Sequence, residues 1–444
     1  MKIDQFGDYS GLSIVENNRS YTYPELFAKI GAYKQWLEEN ISSGDVIAVQ
    51  SDYSFASIAL LLALSEYPCI IVPVVPTTDS EVQNKLKAAK VNKVITFKQE
   101  EPAVISIQNG SLEKVDQYHR IMEENHAGLV LFSSGTTGVP KVMVHDLSAL
   151  IAEFKAPRKQ KNLNFILFLL FDHIGGINTL LGCLNNGSQI TIPENRNPEY
   201  ILQLIQDKNI QVLPTSPTFL NLMLMTEDFD TYDLSSLKMI TYGTERMPQH
   251  LLDKLKIKIP SVKFMQTFGT SETGILKTES KSSTSLFFRI IDPNYQYKIE
   301  DSQLYLKSKV QVSGYVNQES NQFTEEGWFA TGDLVEVDED GYLKIVGRIN
   351  KVINVGGLKV LPKEVEDIIN QFPEVIDSTV FAKDNAITGQ MVCAKVVIKE
   401  GLDEKEMKKE ILKKCREELD RYKVPSKMII THSIDFTTRF KKEI

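Results

Sequence analysis

Ser133-Ser-Gly-Thr-Thr-Gly-Val-Pro-Lys141 follows directly on the apolar run 129–132. Gly135 and Gly138 permit close backbone approach to a ligand. Ser134, Thr136 and Thr137 add hydroxyl donors to the backbone N–H groups, and Lys141 adds a positive charge. The combination suits phosphate oxygens. It is not the GxxxxGK[ST] phosphate loop, whose spacing is missing. Taken by itself, the segment also fits a flexible Ser/Thr/Gly surface turn.

Upstream of this loop, Tyr21-Thr-Tyr-Pro-Glu-Leu opens a helical pattern running through Trp36, with Thr22 as N-cap and Glu25 completing a capping box. A strand over 46–49, a helix over 54–64 and a strand over 70–75 follow. Such alternation continues to about residue 275 and predicts an α/β fold with largely parallel strands. The character changes near residue 295. Segments 295–299, 303–307 and 311–315 read as short strands of a small β-rich subdomain, and Asp338-Glu-Asp-Gly341 as a hairpin turn. After Gly347-Arg348 the pattern restarts, with a helix from Pro362, strands at 378–382 and 391–398, and a charged helix over 403–419. The expected organisation is a large N-terminal α/β domain, 1–347, carrying the β-rich subdomain, then a mobile α+β lid, 348–444. There is no internal repeat or low-complexity tract.

The length of 444 residues exceeds one ordinary domain of ~150. A net charge of −8 with no long basic block argues against a nucleic-acid footprint, although a local pocket can still be positive. Cys69, Cys183, Cys393 and Cys415 lack zinc or disulfide spacing and read as buried, reduced thiols. The start, MKIDQFGDYS, has no apolar signal core, and the apolar stretches 58–64, 70–76 and 165–171 fall short of the ~20 residues of a membrane span. A soluble cytoplasmic protein is expected.

Further motifs follow in a fixed order: Phe268-Gly-Thr-Ser-Glu272-Thr-Gly, Trp328-Phe-Ala-Thr-Gly-Asp333-Leu, Gly347-Arg348-Ile-Asn350-Lys, Gly356-Gly357-Leu-Lys359 and Tyr422-Lys-Val-Pro425. With the 133–141 loop, these make the chain resemble the acyl-activating, adenylate-forming superfamily of acyl-CoA synthetases, luciferases and carrier-loading adenylation domains. The resemblance runs from about Tyr21 to the end of the chain. It implies ATP and Mg²⁺ as cofactors, with coenzyme A or a carrier-protein phosphopantetheine as acceptor.

By that resemblance, Ser134, Gly135, Thr136, Thr137, Gly138 and Lys141 would cradle the phosphates, and Glu272 would hold Mg²⁺, a hard cation suited to carboxylate and phosphate oxygens. Phe268 would offer adenine a flat face, with Gly269, Thr270 and Ser271 beside it. Asp333 would accept from the ribose hydroxyls, and Arg348 would reach the nucleotide from a hinge at 348–351 centred on Asn350. Gly356 and Gly357 would let a pantetheine arm pass; the same residues also fit a plain hairpin turn. His145 invites a structural role.

The family's terminal lysine falls best on Lys441, with Phe440 where a glycine is usual and Lys442 as competitor. Its ammonium would bridge the attacking carboxylate and the α-phosphate. His173 in Phe171-Asp-His-Ile-Gly-Gly176 matches a pocket-gating histidine of acyl- and aryl-CoA synthetases, whereas Asp172 could bind the ammonium of an amino acid. Tyr242 and Gly243 complete the expected substrate-binding set. The stretch from Gly274 to Gln303 is shorter than the family's and lacks its glycine-rich segment. The expected function is ATP-dependent activation of a carboxylic acid as acyl-AMP, then transfer to a thiol. The alternatives are an amino-acid-activating enzyme using Asp172, and a catalytically weakened nucleotide-binding homologue.

Overall fold

The structure, a computed structural model, describes residues 11–98, 100–107, 115–133, 140–154 and 162–432. Two α/β lobes come first. In the first, strands Lys93–Lys98, Val46–Gln50, Ile70–Val74 and Gly128–Ser133 run parallel, with antiparallel edges Glu101–Ser106 and Lys141–Asp146. In the second, Lys263–Gln266, Met239–Tyr242, Val212–Thr215, Asn164–Ile166, Gln189–Ile192 and Leu12–Glu16 lie side by side in parallel, closed by antiparallel Arg19–Thr22. The first-lobe strands read from the sequence, 46–49 and 70–75, are apolar throughout, as a sheet covered on both faces requires. The first helix, Tyr23–Asn40, starts on the capping box Thr22/Glu25. The second, Phe55–Leu64, starts on Ser54 and is buried all round.

A six-stranded antiparallel sheet forms the β-rich subdomain, in the order Thr278–Ser280, Phe288–Ile290, Leu343–Arg348, Phe329–Val337, Gln303–Ser308, Tyr295–Glu300. Segment 311–315, expected as a strand, is irregular. Only Tyr315 bridges, to Met143, because the Val312 N–H is spent on the Glu272 carbonyl at 2.9 Å. The C-terminal domain packs helices Pro362–Ile369 and Glu404–Glu418 on a second antiparallel sheet, to which Lys427–Thr431 adds in parallel. Among the described residues no helix is long and apolar enough to cross a membrane.

In open α/β sheets ligands bind beyond the carboxyl ends of parallel strands. Both lobes turn such ends toward a common seam. Asp52, just past Val46–Gln50, receives Arg196 Nη1, just past Gln189–Ile192, at 2.6 Å. Lys85, on helix Asp79–Ala88 of the first lobe, donates to Asp172 of the second at 3.3 Å. Tyr53 completes the seam edge-on to Phe171, with centroids 5.1 Å apart.

Candidate active site

Strands Gly128–Ser133 and Lys141–Asp146 pair antiparallel through Ser133 and Lys141, at the carboxyl end of a parallel strand. Ser134, Gly135, Thr136, Thr137 and Gly138 lie outside the described residues. The end of the loop is pinned: the Val142 N–H donates to Asn317 Oδ1 at 3.0 Å, and Asn317 Nδ2 donates to the Pro140 carbonyl at 2.9 Å. Lys141 Nζ stands 4.8 Å from the centre of the Tyr315 ring. The Tyr315 hydroxyl donates to Glu272 Oε1 at 2.8 Å, with Gln322 Oε1 3.0 Å away. Loop lysine and acidic residue therefore flank one tyrosine. Burial pushes the Tyr315 phenol far up, and the nearby Glu272 carboxylate adds to the shift. This hydroxyl stays a donor at any ordinary pH.

Glu272 sits between strands Phe268–Thr270 and Gly274–Leu276, which pair tightly. Thr270 Oγ1 accepts from the N–H groups of Glu272 and Thr273, at 3.2 and 3.1 Å. Gly269 is required by close approach, since a Cβ there would lie 2.3 Å from the Gly274 carbonyl oxygen. His145 holds the loop from beneath. It is 1% exposed, with Nε2 2.6 Å from the Ser271 carbonyl and Nδ1 3.2 Å from the Val310 carbonyl. Burial pushes this histidine below its ordinary value, against the pull of both carbonyls and of Glu272. The neutral ring has one N–H, and the shorter contact makes Ser271 its acceptor. Behind the loop, Tyr295 donates to the Thr273 carbonyl at 2.9 Å.

Asp333 and Arg348, read from separate motifs, meet directly. The Arg348 Nε donates to Asp333 Oδ1 at 2.8 Å and its Nη2 to the Thr331 carbonyl at 3.1 Å. Burial raises the Asp333 carboxyl above the usual range, while Arg348 lowers it. Phe268 is mostly buried against Phe288, with centroids 5.5 Å apart. It is foremost a core aromatic of the β-rich subdomain.

On the acid side, His173 caps helix Ile174–Asn186, its Nδ1 accepting from the Gly175 N–H at 3.0 Å. The glycines of His-x-Gly-Gly have a packing reason, because a Cβ on Gly176 would lie 2.3 Å from the Leu170 carbonyl oxygen. Asp172, beside His173, is buried with its side chain 1% exposed and holds Lys85, itself 4% exposed. Lys85 also meets Glu81 at 3.0 Å. Gly243 stands against Thr267, whose Oγ1 would be 2.5 Å from a Cβ. The Tyr242 ring is fully buried in the second lobe's core, and its carbonyl accepts from the Thr267 N–H at 2.8 Å, so this position would meet a substrate through its backbone.

In the lid, Gly356 and Gly357 form the tip of the hairpin Ile353–Val355/Leu358–Val360, with φ of +60° and +90° that favour glycine. The tip faces solvent and Leu358 is 50% exposed. Asn350 lies in the exposed turn Ile349–Lys351. Lys441 and Lys442 lie outside the described residues. Glu124, His126 and Asp146 could also gather round a cation. Asp146, however, ends the strand that Lys141 begins, and it is already spent on His126 at 2.7 Å and on capping Ala149 at 2.9 Å. Sequence reading missed Tyr315, Gln322 and Lys85.

The family profile described as AMP-binding enzyme matches residues 4–314, and that of the AMP-binding enzyme C-terminal domain matches residues 364–441. The chain belongs to this family, and so to the adenylate-forming acid–thiol ligases. Its relatives are CoA ligases. 4-Coumarate-CoA ligase 1 of Narcissus pseudonarcissus is 28% identical over 315 residues, spanning 64% of this chain and 58% of that protein. Probable CoA ligase CCL5 of Humulus lupulus is 27% identical over 440 residues, spanning 86% and 80%. Acyl-CoA synthetase 7 of Caenorhabditis elegans is 32% identical over 322 residues, spanning 66% and 59%. Among solved structures, ATP-bound MatB from Rhodopseudomonas palustris matches with a TM-score of 0.82 at 22% identity, over 99% of this chain and 97% of that one. The o-succinylbenzoate CoA synthetase MenE from Bacillus subtilis, in complex with its acyl-adenylate intermediate, matches with a TM-score of 0.75 at 19% identity, over 98% and 94%. At these identities the structural likeness speaks for the fold.

Proposed function

We propose that the protein converts a carboxylic acid lacking an ammonium group into its acyl-AMP, and transfers the acyl group to coenzyme A. The buried Lys85–Asp172 pair carries this reading. An amino acid needs a carboxylate to receive its ammonium, and a buried charge left without a partner is costly. The carboxylate beside His173 already holds an ammonium of the protein itself. The amino-acid alternative thereby loses its anchor. Relatives named as acyl-CoA and 4-coumarate-CoA ligases support an acyl or aryl acid, and coenzyme A rather than a carrier protein.

In the first step the carboxylate oxygen attacks the α-phosphorus of ATP, a P–O bond forms, and pyrophosphate leaves. Lys141 and the loop hydroxyls would hold the phosphates, and Asp333 the ribose. Glu272 fits Mg²⁺, being a hard oxygen donor beside the phosphate loop and fixed by Tyr315. That ion would neutralise phosphate charge. Lys441 would bridge carboxylate and α-phosphate. In the second step the thiol sulfur attacks the acyl carbon, AMP departs with the C–O electron pair, and the thiol proton goes to solvent. Gly356 and Gly357 would line the thiol path once the lid has turned about Asn350.

The test is product analysis with ATP, a panel of aliphatic and aromatic acids, and either coenzyme A or a phosphopantetheinylated carrier protein. Acyl-CoA is the expected product. Transfer to the carrier alone would reassign the acceptor, and ATP binding without acid-dependent pyrophosphate release would mark a nucleotide binder.

A further inference from the structure

Among the described residues, the lid meets the second lobe at a seam beside helix Pro217–Leu224. Arg246, three residues beyond Gly243, reaches Asp367 of the lid helix Pro362–Ile369, with Nη2–Oδ2 2.7 Å and side chains 14% and 34% exposed. Close by, Asn221 Nδ2 donates to the Ile376 carbonyl at 3.5 Å. The loop that carries Arg246 is itself anchored, because Glu245 Oε1 accepts from the Thr218 N–H at 2.7 Å at the start of helix Pro217–Leu224. Two features oppose the attraction. Arg246 Nε is buried without a hydrogen-bond partner among the described residues, which penalises the closed seam. Lys254 of the second lobe faces Lys399 of the lid, and burial together with that like charge holds the Lys254 ammonium below its ordinary range.

The register of the lid sheet fixes which end meets the seam. Val375 pairs with Ile398, and Val397 with Thr431, so Ile376, Lys399 and the start of the C-terminal segment share one end. Asn385 pairs with Gly389, and Val355 with Gly389, so the Gly356–Gly357 tip is at the other. Ten residues of strand at ~3.3 Å each separate the two ends by roughly 30 Å. In this arrangement the sheet end carrying Ile376 and Lys399 is held to the second lobe while the glycine tip is in solvent.

We propose that the Arg246–Asp367 pair is a latch: it holds the lid in the orientation for acyl-AMP formation and releases it for thioester formation. The inference rests on the two-step reading above. Arg246 and Asp367 are positioning residues, since they act on the reaction through the lid. An attractive pair set against an unsatisfied donor and a like-charge pair gives a seam that holds weakly, as a lid serving two orientations requires.

Two measurements on the full chain test it. In the first, Arg246→Ala slows acid-dependent pyrophosphate exchange about fivefold, the worth of a partly exposed ion pair. Thioester formation from supplied acyl-AMP is unchanged or faster, and Arg246→Asp combined with Asp367→Arg restores exchange. In the second, fluorophores on Ile257→Cys and Ile387→Cys report lid orientation; both isoleucines are exposed, and the four native cysteines are buried. Arg246→Ala should create a second distance population that the charge swap removes. Equal slowing of both half-reactions, or identical distance distributions, overturns the latch. Absence of exchange in the unmutated protein, with the distance shift intact, overturns the catalytic reading alone and leaves the latch standing.

Discussion

Replacing Lys85 by Met removes an ammonium from a seam where its partner cannot reach water. Asp172 has 1% of its side chain exposed, while the second partner, Glu81, is 47% exposed and simply returns to solvent. The loss therefore falls on one carboxylate. Breaking a buried pair from one side costs about 3–5 kcal/mol. Lys85→Met should thus lose about 3–5 kcal/mol at pH 7. Lys85→Met combined with Asp172→Asn should recover most of it, because the carboxylate is gone as well. Urea denaturation of the three proteins at pH 7 measures this. A Lys85→Met protein as stable as the unmutated one, or a double variant no more stable than Lys85→Met, would refute the claim that Asp172 is committed to Lys85.

Glu272→Gln should raise the KM for Mg²⁺-ATP at least tenfold while leaving Tm within a few degrees, as removal of one hard ligand from a hydrogen-bonded loop would do; unchanged kinetics would remove Glu272 from the metal site. His145 binds its proton less readily when folded than when unfolded, so the unfolded chain takes up the proton first as pH falls below the ordinary value of 6.5. Its contribution to stability should decline through that window by at most ~1.4 kcal/mol per pH unit, and His145→Gln should flatten the slope measured by pH-dependent denaturation. Lys441→Ala should abolish acyl-AMP formation but leave thioester formation from supplied acyl-AMP. Gly357→Trp should do the reverse in the same pair of half-reaction assays.

Local signals were legible and long-range ones were not. The capping box at Thr22 and Glu25 and the apolar runs of the parallel strands depend on neighbours in sequence, and they appear where read. Asp333 and Arg348 were each found by motif, yet their ion pair turns on a bulge. From Val337–Leu343 to Val335–Ile345 the hairpin keeps one register, which would set Asp333 opposite Gly347. A slip between Leu334 and Val335 sets it opposite Arg348 instead. Lys85 was invisible because its partner is 87 positions away and its own helix looks like an ordinary charged one. Tyr315 was hidden inside a segment with strand-like composition, whose backbone and hydroxyl are instead spent on Glu272. The His-x-Gly-Gly pattern was read for substrate class, but Gly176 answers first to the Leu170 carbonyl. The buried lysine beside that pattern is what speaks to the substrate.

Pyrophosphate exchange into ATP, run without any thiol over a panel of aliphatic, aromatic and amino acids, reads out which acid the protein adenylates. Exchange should depend on Mg²⁺ and on an acyl or aryl acid. Amino acids should give none, because no free carboxylate awaits their ammonium beside His173. Exchange supported by an amino acid and by no plain acid would contradict that reading.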